Sequence, residues 1–250
     1  MHTMQRTEEA ISLMRTSNRI TALSGAGIST EAGVPDFRGP NGMWQNSKLM
    51  QQLSATGFRQ DPQGFYRSSM NLFSTIAAAE PTPAHKLLVQ LEKIGKLQAV
   101  VTQNVDGLHH AAGSSTVYEV HGTYRTGHCT ICGDSHDMIP FYKEIESGRL
   151  EVPLCSKCNV PLKPDIVLFE EMLPLDAWNG AVEAMEECDL LLILGSSLVI
   201  YPVAELPSIA LSNGARLVIV NLQETAYDGA AVVVRDKLGN FAKSALAAFT

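Results

Sequence analysis

The sequence predicts an α/β protein in which a doubly wound parallel sheet carries a smaller inserted lobe. Short apolar runs bounded by glycine or polar residues alternate with helical stretches, as in a buried parallel sheet with helices on both faces. Two segments, 37–80 and 123–163, break this alternation. The first has the composition of a helical cap, and the second contains two cysteine pairs.

The predicted elements follow in chain order. The strands are expected at Ile20–Ser24, Ala99–Thr102, Leu190–Leu194, Leu217–Val220 and Ala231–Val234. The helices are expected at Glu8–Thr16, Ala84–Ile94, Ala177–Glu187, Pro202–Leu211 and Phe241–Phe249, with a short one at Phe141–Glu146. Residues 1–36, 81–122 and 164–250 are therefore assigned to the α/β domain, and residues 37–80 and 123–163 to the smaller one.

Composition restricts the class of protein. The 250 residues are 45% hydrophobic and 18% charged, which supports a substantial core and is unlike a disordered chain. The net charge of −7 argues against binding to nucleic acid or acidic lipid, which needs clustered Lys and Arg. The apolar runs fall short of the roughly 18 residues of a membrane helix, and Glu8 and Glu9 stand where a signal peptide would be apolar. We expect a cytoplasmic monomer.

Four of the five cysteines form two C-x-x-C pairs: Cys129, Cys132, Cys155 and Cys158. Each pair can present two thiolates to one ion, and two pairs complete a tetrahedral Zn²⁺ site. Disulfides are disfavoured in a reducing cytoplasm, and His128 or His136 would be needed only if a thiol were missing. Four thiolates leave no open coordination position, so the zinc is expected to be structural. Cys188 is expected to begin an apolar strand as a core residue.

Small and polar residues follow several of the predicted strands. Gly25-Ala26-Gly27 follows the first strand, Ser196 and Ser197 come shortly after Leu190–Leu194, and Asn221 follows Leu217–Val220. A glycine turn of this kind lets backbone N–H groups approach a phosphate, although its spacing departs from G-x-G-x-x-G. Ligands of open α/β sheets bind beyond the carboxyl ends of the strands. The pattern predicts a nucleotide site, and a tight strand-to-helix turn is the simpler alternative for the first loop.

The strand Ala99–Thr102 leads directly into Gln103, Asn104, Val105 and Asp106, and His121 follows an apolar alternation. A carboxamide, a carboxylate and an imidazole are thus placed near one sheet edge. A capped turn and a structural histidine remain the alternative interpretation of the same residues. His85, His109 and His110 are open to the same structural interpretation.

Taken in order, these segments resemble the sirtuin family over nearly the whole chain, and the compact length resembles its prokaryotic members. The motifs are Gly25–Ser29 with Gly33–Gly39, Thr102–Asp106 with Leu108-His109, His121-Gly122, the four cysteines, Gly195–Leu198 and Val220-Asn221. The resemblance implies a Rossmann-type NAD-binding domain, a small zinc-binding domain, and a cleft between them for NAD and an acyl-lysine peptide.

The resemblance also implies a reaction and its residues. The acetyl group of lysine passes to ADP-ribose, and nicotinamide and O-acetyl-ADP-ribose are released. His121 is similar to the family's general base, for which an imidazole with an unperturbed pKa near ~6.5 is suited, and Asn104 would hold the ribose. The implied NAD-binding residues are Gly25, Ala26, Thr30, Phe37, Arg38, Gln103, Asn104, Val105, Asp106, His121, Ser196, Ser197, Asn221, Lys237 and Leu238.

The implied peptide site lies between two segments that pair with the substrate backbone as strands do. Its residues are Val167, Phe169, Val199, Ile200 and Tyr201. The chain departs from the family at Glu170, where glycine is usual. This carboxylate would either favour basic flanking residues in the substrate or perturb the backbone.

The acyl preference is inferred from a helical segment of the insert. Family members that prefer succinyl or malonyl groups carry a Tyr and an Arg three residues apart, and here Tyr66 is followed by Ser69. An acidic acyl group would be buried without a partner, so we expect deacetylation and tolerance of longer apolar chains. Arg67 is the one nearby cation that would weaken this expectation.

Three other functions are compatible with parts of the pattern. An NAD-dependent oxidoreductase would need the G-x-G-x-x-G spacing and a ribose-binding acid, and neither is identifiable. A mono-ADP-ribosyltransferase would share the NAD contacts and differ in the nucleophile that reaches the ribose. A non-enzymatic NAD or zinc module would leave the arrangement of Asn104, Asp106 and His121 unexplained.

Overall fold

The computed structural model describes residues 2–36 and 47–249, so the predicted NAD contacts Phe37 and Arg38 lie outside the described residues. The strands are β1 (Ile20–Ser24), β2 (Leu97–Thr102), β3 (Val117–Glu119), β4 (Gly122–Cys129), β5 (Ser135–Asp137), β6 (Leu162–Ile166), β7 (Leu190–Leu194), β8 (Arg216–Val220) and β9 (Ala231–Val234). The helices are α1 (His2–Thr16), α2 (Ser47–Gln52), α3 (Ala55–Gln60), α4 (Pro62–Ala78), α5 (Pro83–Lys93), α6 (Leu108–Ala112), α7 (Ile139–Glu146), α8 (Leu175–Glu187), α9 (Leu206–Ser212) and α10 (Leu238–Ala248).

Six strands form one parallel sheet in the order β3-β2-β1-β7-β8-β9. All five predicted strands belong to it, which confirms the α/β, Rossmann-like class. Strands β1 and β7 are buried at every position, and this explains why their sequences are apolar or small throughout. The strand order reverses between β1 and β7, and such a switch point opens a crevice at the carboxyl ends of the strands.

The predicted helices are present with shifted ends, and one of them is divided. Where a single helix over Pro202–Leu211 was expected, a 3₁₀ turn at Val203–Glu205 precedes α9. Pro207 has no N–H to donate to the carbonyl of Val203, so an α-helix cannot run through this position without losing a hydrogen bond.

A second sheet, in the order β5-β4-β6, is antiparallel. Its core side chains pack in one apolar cluster with the helices of the 37–80 segment, including Phe65, Tyr66 and Phe73 of α4. Two other clusters cover the two faces of the parallel sheet. The smaller inserted lobe therefore packs around an apolar cluster separate from those of the sheet, and this cluster also includes Val34, Leu108 and Leu168 of the α/β domain.

The position predicted for Cys188 was wrong in one respect. Cys188 follows α8, and β7 begins two residues later at Leu190. Its thiol donates to the carbonyl oxygen of Met185, and burial raises the pKa of the thiol to about 11. It is a core residue, as expected.

Among the described residues, no helix is long and apolar enough to cross a membrane.

Candidate functional site

A cavity of about 670 Å³ lies at the carboxyl ends of the parallel strands. Residues that follow β1, β2, β3, β7 and β8 line one side of it, and residues of the smaller lobe line the other. The crevice predicted from the strand ends is therefore present, at the switch point between β1 and β7.

Most of the predicted site residues meet at this cavity. Those that line it are Gly25, Ala26, Thr30, Gln103, Asn104, Val105, His121, Val167, Phe169, Ser196, Ser197, Ile200, Tyr201, Asn221, Lys237 and Leu238. Asp106 and Val199 do not line it. Asp106 is buried behind the wall, and Val199 is exposed on the surface.

The glycines of the first loop allow two strand ends to touch. Gly27 N–H donates to the carbonyl oxygen of Gly195 at 2.9 Å, and Gly25 N–H donates to that of Leu194 at 3.0 Å. A Cβ on Gly27 would lie 2.6 Å from the Cα of Gly195. Glycine is therefore needed in this loop because the ends of β1 and β7 are in contact. The same small residues also line the cavity.

We expect Gly27→Ala to separate these two strand ends. The added methyl group meets backbone on Gly195, which cannot rotate away, so we expect the free energy of unfolding to fall by about 1–3 kcal/mol. We also expect the KM for NAD to rise at least about tenfold, because a displacement of ~1 Å in a binding loop is costly. Steady-state kinetics with thermal unfolding measures both.

Gly229→Ala is the matched control, since a Cβ there meets no atom within 4 Å. Equal effects of the two substitutions would contradict the assignment of Gly27 to a strand contact.

The Asn104 side chain is held from behind by the first loop. Its Nδ2 donates to the carbonyl oxygen of Gly25 and to Ser29 Oγ, both at 3.2 Å. Ser29 Oγ in turn donates to Asp106 Oδ2 at 2.7 Å. The amide orientation of Asn104 is therefore fixed, and its Oδ1 is not used in these bonds. The role of Ser29 was not predicted, because no spacing in the sequence pairs it with Asn104.

Asp106 shapes the loop that carries Asn104. Its Oδ1 accepts from Leu108 N–H at 2.9 Å, at the start of α6. Burial raises the pKa of the Asp106 carboxyl, and the hydrogen bonds from Ser29, Leu108 and Asn104 oppose that rise. In this structure the carboxylate acts as the acceptor that joins the first loop to the loop after β2.

A second buried network supports the same loop. Ser24 Oγ lies 2.8 Å from both Thr102 Oγ1 and His109 Nε2, and Asn104 N–H donates to Thr102 Oγ1 at 3.1 Å. Burial lowers the pKa of His109 well below its usual value, and nearby His85 and His110 lower it further. Burial therefore favours the neutral ring of His109, which contacts Ser24 as a structural residue.

His121 lies in the turn between β3 and β4 and lines the cavity. Its Nδ1 is 2.9 Å from the carbonyl oxygen of Gln103, which can only accept. Nδ1 therefore carries the proton in the neutral ring, and Nε2 keeps the lone pair that a general base needs. The same loop that presents Asn104 thus fixes the tautomer of His121.

The four paired cysteines converge on one point in the smaller lobe. Their sulfur atoms all lie within 4.8 Å of one another, and Cys132 Sγ is 3.8 Å from Cys155 Sγ. Zn–S bonds of about 2.3 Å in a tetrahedron require sulfur atoms about 3.8 Å apart. The cluster therefore fits a structural zinc, as predicted, and none of its members lines the cavity.

Comparisons with known proteins agree with this geometry. The model of the Sir2 family matches residues 25–202, which include the first loop, His121 and all four cysteines. The chain belongs to the Sir2 family. This Sir2-family chain is 42% identical to a Thermotoga maritima protein called NAD-dependent protein deacetylase, and the match covers 90% of this chain and 91% of that protein.

Solved Sir2 structures are similar along nearly the whole Sir2-family chain. A complex of Sir2 with a p53 peptide and NAD⁺ is 40% identical with a TM-score of 0.87, and the match covers 97% of this chain and 98% of that one. A histidine-to-alanine variant of Sir2 with a deacetylated p53 peptide and 3′-O-acetyl ADP ribose is 39% identical with a TM-score of 0.90 and the same coverage.

Several cavity residues of this Sir2-family chain were not predicted. Leu53, Leu72 and Phe73 come from the 37–80 segment, in which other residues, among them Tyr66 and Ser69, were singled out from the sequence. Their apolar side chains were indistinguishable from ordinary core residues. Glu31 was also missed: its Oε1 accepts from Gly239 N–H at 2.9 Å and ties the first loop to α10.

Proposed function

We propose that this chain is an NAD-dependent protein-lysine deacetylase that transfers the acetyl group from lysine to ADP-ribose, with release of nicotinamide and O-acetyl-ADP-ribose. The observation that carries the proposal is the position of His121. It lies on the cavity wall with its Nδ1 bonded to the carbonyl oxygen of Gln103, and Asn104 and the glycine loop line the same cavity. The names of the relatives and the ligands of the solved Sir2 structures support the same reaction.

Each group of residues has a proposed role. NAD supplies the ADP-ribose that accepts the acetyl group. The phosphates and riboses of NAD would be bound by Gly25, Ala26, Thr30, Ser196, Ser197 and Asn221. The adenine would contact Lys237 and Leu238, and the nicotinamide would contact Val105. His121 Nε2 would take the proton from a ribose hydroxyl, and Asn104 would orient that ribose through Oδ1. Asp106 is proposed to hold the Asn104 loop. Phe37 and Arg38 remain proposed NAD contacts.

The peptide is proposed to lie between residues 167–169 and 199–201. Val167 N–H donates to the carbonyl oxygen of His121 at 2.8 Å, which fixes the first segment beside the proposed base. Val199 and Tyr201 are 56% and 71% exposed and are accessible to an incoming chain. Such pairing uses main-chain hydrogen bonds, so sequence selectivity would be modest.

The domain division is proposed as predicted, with two boundaries moved. Residues 1–36, 81–122 and 164–250 would form the NAD-binding domain, and 37–80 and 123–163 the smaller one. The boundary at 163–164 falls inside β6 (Leu162–Ile166) and the boundary at 122–123 inside β4 (Gly122–Cys129), so we place the first after β6 and the second before β4. We also propose that the protein does not bind nucleic acid, on the net charge of −7, and that it is a cytoplasmic monomer, as expected from the sequence.

The test is to incubate the protein with an acetyl-lysine peptide, with and without NAD, and to follow all products by mass spectrometry. Deacetylated peptide, nicotinamide and O-acetyl-ADP-ribose should form in equal amounts and only with NAD. Labelled ADP-ribose on protein, with the acetyl group retained, would support the mono-ADP-ribosyltransferase instead. NAD left intact by the folded, zinc-loaded protein would reject both.

The acyl preference follows from the lobe side of the cavity. Leu53, Leu72 and Phe73 line it together with Ser69, whose Oγ donates to the carbonyl oxygen of Phe65. Arg67 is exposed and is not a lining residue. A succinyl carboxylate would meet no cation among the described lining residues of that lobe.

We expect kcat/KM for a succinyl-lysine peptide to be at least about a hundredfold below that for the acetyl peptide, since an unpaired buried charge costs several kcal/mol. A propionyl or butyryl peptide should remain within about tenfold of acetyl. Competition between the three peptides in one reaction measures these ratios directly. Succinyl cleavage equal to acetyl cleavage would contradict the proposed preference.

A further inference from the structure

Glu170 occupies an unusual backbone position beside the proposed peptide site. Its φ is +78°, in the left-handed region that a residue with a side chain rarely adopts. It lines the cavity together with its neighbours Phe169 and Glu171. A residue that remains in this conformation with a side chain attached must be held there by its surroundings.

The Glu170 carboxylate supplies that restraint. Its Oε2 accepts from Thr56 N–H at 3.0 Å and from Thr56 Oγ1 at 2.7 Å, so both bonds end on one oxygen. Thr56 lies in the first turn of α3, 114 positions away along the chain. The side chain therefore joins the loop after β6 to the helical insert.

The backbone on either side completes the connection. Phe169 forms a parallel bridge with Ser54: Ala55 N–H donates to Phe169 O at 3.0 Å, and Phe169 N–H donates to Leu53 O at 3.3 Å. At the other end, Val167 is tied to His121. Residues 167–170 are thus fixed between the proposed base and α3, where the two side-chain bonds of Glu170 add to the two backbone bonds of Phe169.

The Glu170 carboxylate interacts with groups of the protein itself. The hydrogen bonds from Thr56 lower the pKa of its carboxyl, and the nearby Arg59 guanidinium lowers it further. Arg59 also donates to Thr56 Oγ1 at 3.2 Å. The carboxylate therefore faces α3 and Arg59, which disfavours the alternative that it recognises basic residues of the substrate.

We propose that Glu170 is a positioning residue that clasps the peptide-binding segment 167–170 to the helical insert, so that its contribution appears in peptide affinity and not in the chemical step. The inference rests on the proposed deacetylase function. The restraint depends chiefly on an oxygen acceptor, because Thr56 contributes two donors to one oxygen and the attraction of Arg59 for an exposed carboxylate adds little.

The experiment compares Glu170→Ala with Glu170→Gln. An amide oxygen can accept both bonds from Thr56, so the glutamine variant should keep the KM for the acetyl peptide within about twofold of the unmodified protein. The alanine variant loses both bonds, and we expect that KM to rise about fivefold to twentyfold. In both variants kcat and the KM for NAD should stay unchanged, and wild-type activity is measured first.

A second pair of substitutions tests the contact itself. Thr56→Val removes one donor with little change of shape and should raise the KM for peptide about threefold. In the double variant with Glu170→Ala, the bonds between the two residues are already lost, and Thr56→Val removes in addition only the contact with Arg59. The rise in the peptide KM should therefore be clearly smaller than the product of the two single effects. Effects that multiply would show that the two residues act separately.

The outcomes separate this inference from the proposed function. If the wild-type protein deacetylates the peptide but Glu170→Ala leaves the peptide KM unchanged, the clasp is wrong and the deacetylase stands. If Glu170→Gln loses as much affinity as Glu170→Ala, and only for peptides with flanking lysines, the carboxylate recognises substrate charge and the clasp is again rejected. If the wild-type protein binds the peptide without deacetylating it, calorimetric peptide affinity replaces KM in the same comparison.

Discussion

His121→Ala is expected to lower kcat for NAD-dependent deacetylation by about 10²–10⁴-fold, the usual contribution of a positioned general base. His121 is the one histidine among the described residues that line the cavity, and its Nδ1 is committed to the carbonyl oxygen of Gln103. No other described lining residue presents an imidazole lone pair that could replace it. Rapid-quench or steady-state assays at saturating NAD and peptide measure the loss.

The loss should come from chemistry and not from unfolding. His121 is a half-buried residue on the cavity wall, so we expect the free energy of unfolding to fall by about 1–3 kcal/mol, as for most single substitutions, and the protein to remain folded. His110→Ala, on the neighbouring α6 and outside the cavity lining, serves as the control and should retain activity. If the kcat of His121→Ala stays within tenfold of the wild-type value, His121 is not the general base.

Cys155→Ser is the second substitution with a large expected effect. Structural zinc contributes apparent binding free energies of about 10–16 kcal/mol in small zinc domains, which is as large as the whole stability of many proteins. Loss of one of four thiolates should therefore reduce bound zinc from one per chain to well below one and unfold the smaller lobe. Activity should fall to background although no cysteine of the cluster lines the cavity.

The indirect effect has a structural route. Cys155 is 1% exposed and packs in the same apolar cluster as Leu53, Leu72 and Phe73, which form the lobe side of the cavity. Metal analysis, with hydrogen exchange over residues 122–166, should show the loss of zinc and of protection together. Cys188→Ala lies outside the cluster and should keep both zinc and activity. A Cys155→Ser protein that keeps full zinc occupancy would contradict the four-thiolate site.

Sequence periodicity and spacing determined the parts of this protein that depend on neighbours in the chain. The apolar runs of β1 and β7 predict buried parallel strands because both faces of that sheet are covered. The two C-x-x-C pairs predict a zinc site because each pair of thiols is brought together by its own turn. The position of Gln103–Asp106 directly after β2 places these residues at a sheet edge. Proline at 207 divides a predicted helix, which a closer use of the same local rule would have shown.

The tertiary structure alone decided which distant side chains meet. Ser29 and Asn104 are 75 positions apart, and Thr56 and Glu170 are 114 apart. No spacing rule links such pairs, because their distance is set by strand order and by how the smaller lobe packs on the sheet. The same holds for Leu53 and Phe73, whose sequence pattern is that of any helical core residue. The position of Glu170 in the chain does not show whether its carboxylate binds basic residues of the substrate or groups of the protein itself. In the structure the carboxylate points toward Thr56 and Arg59, which favours the second.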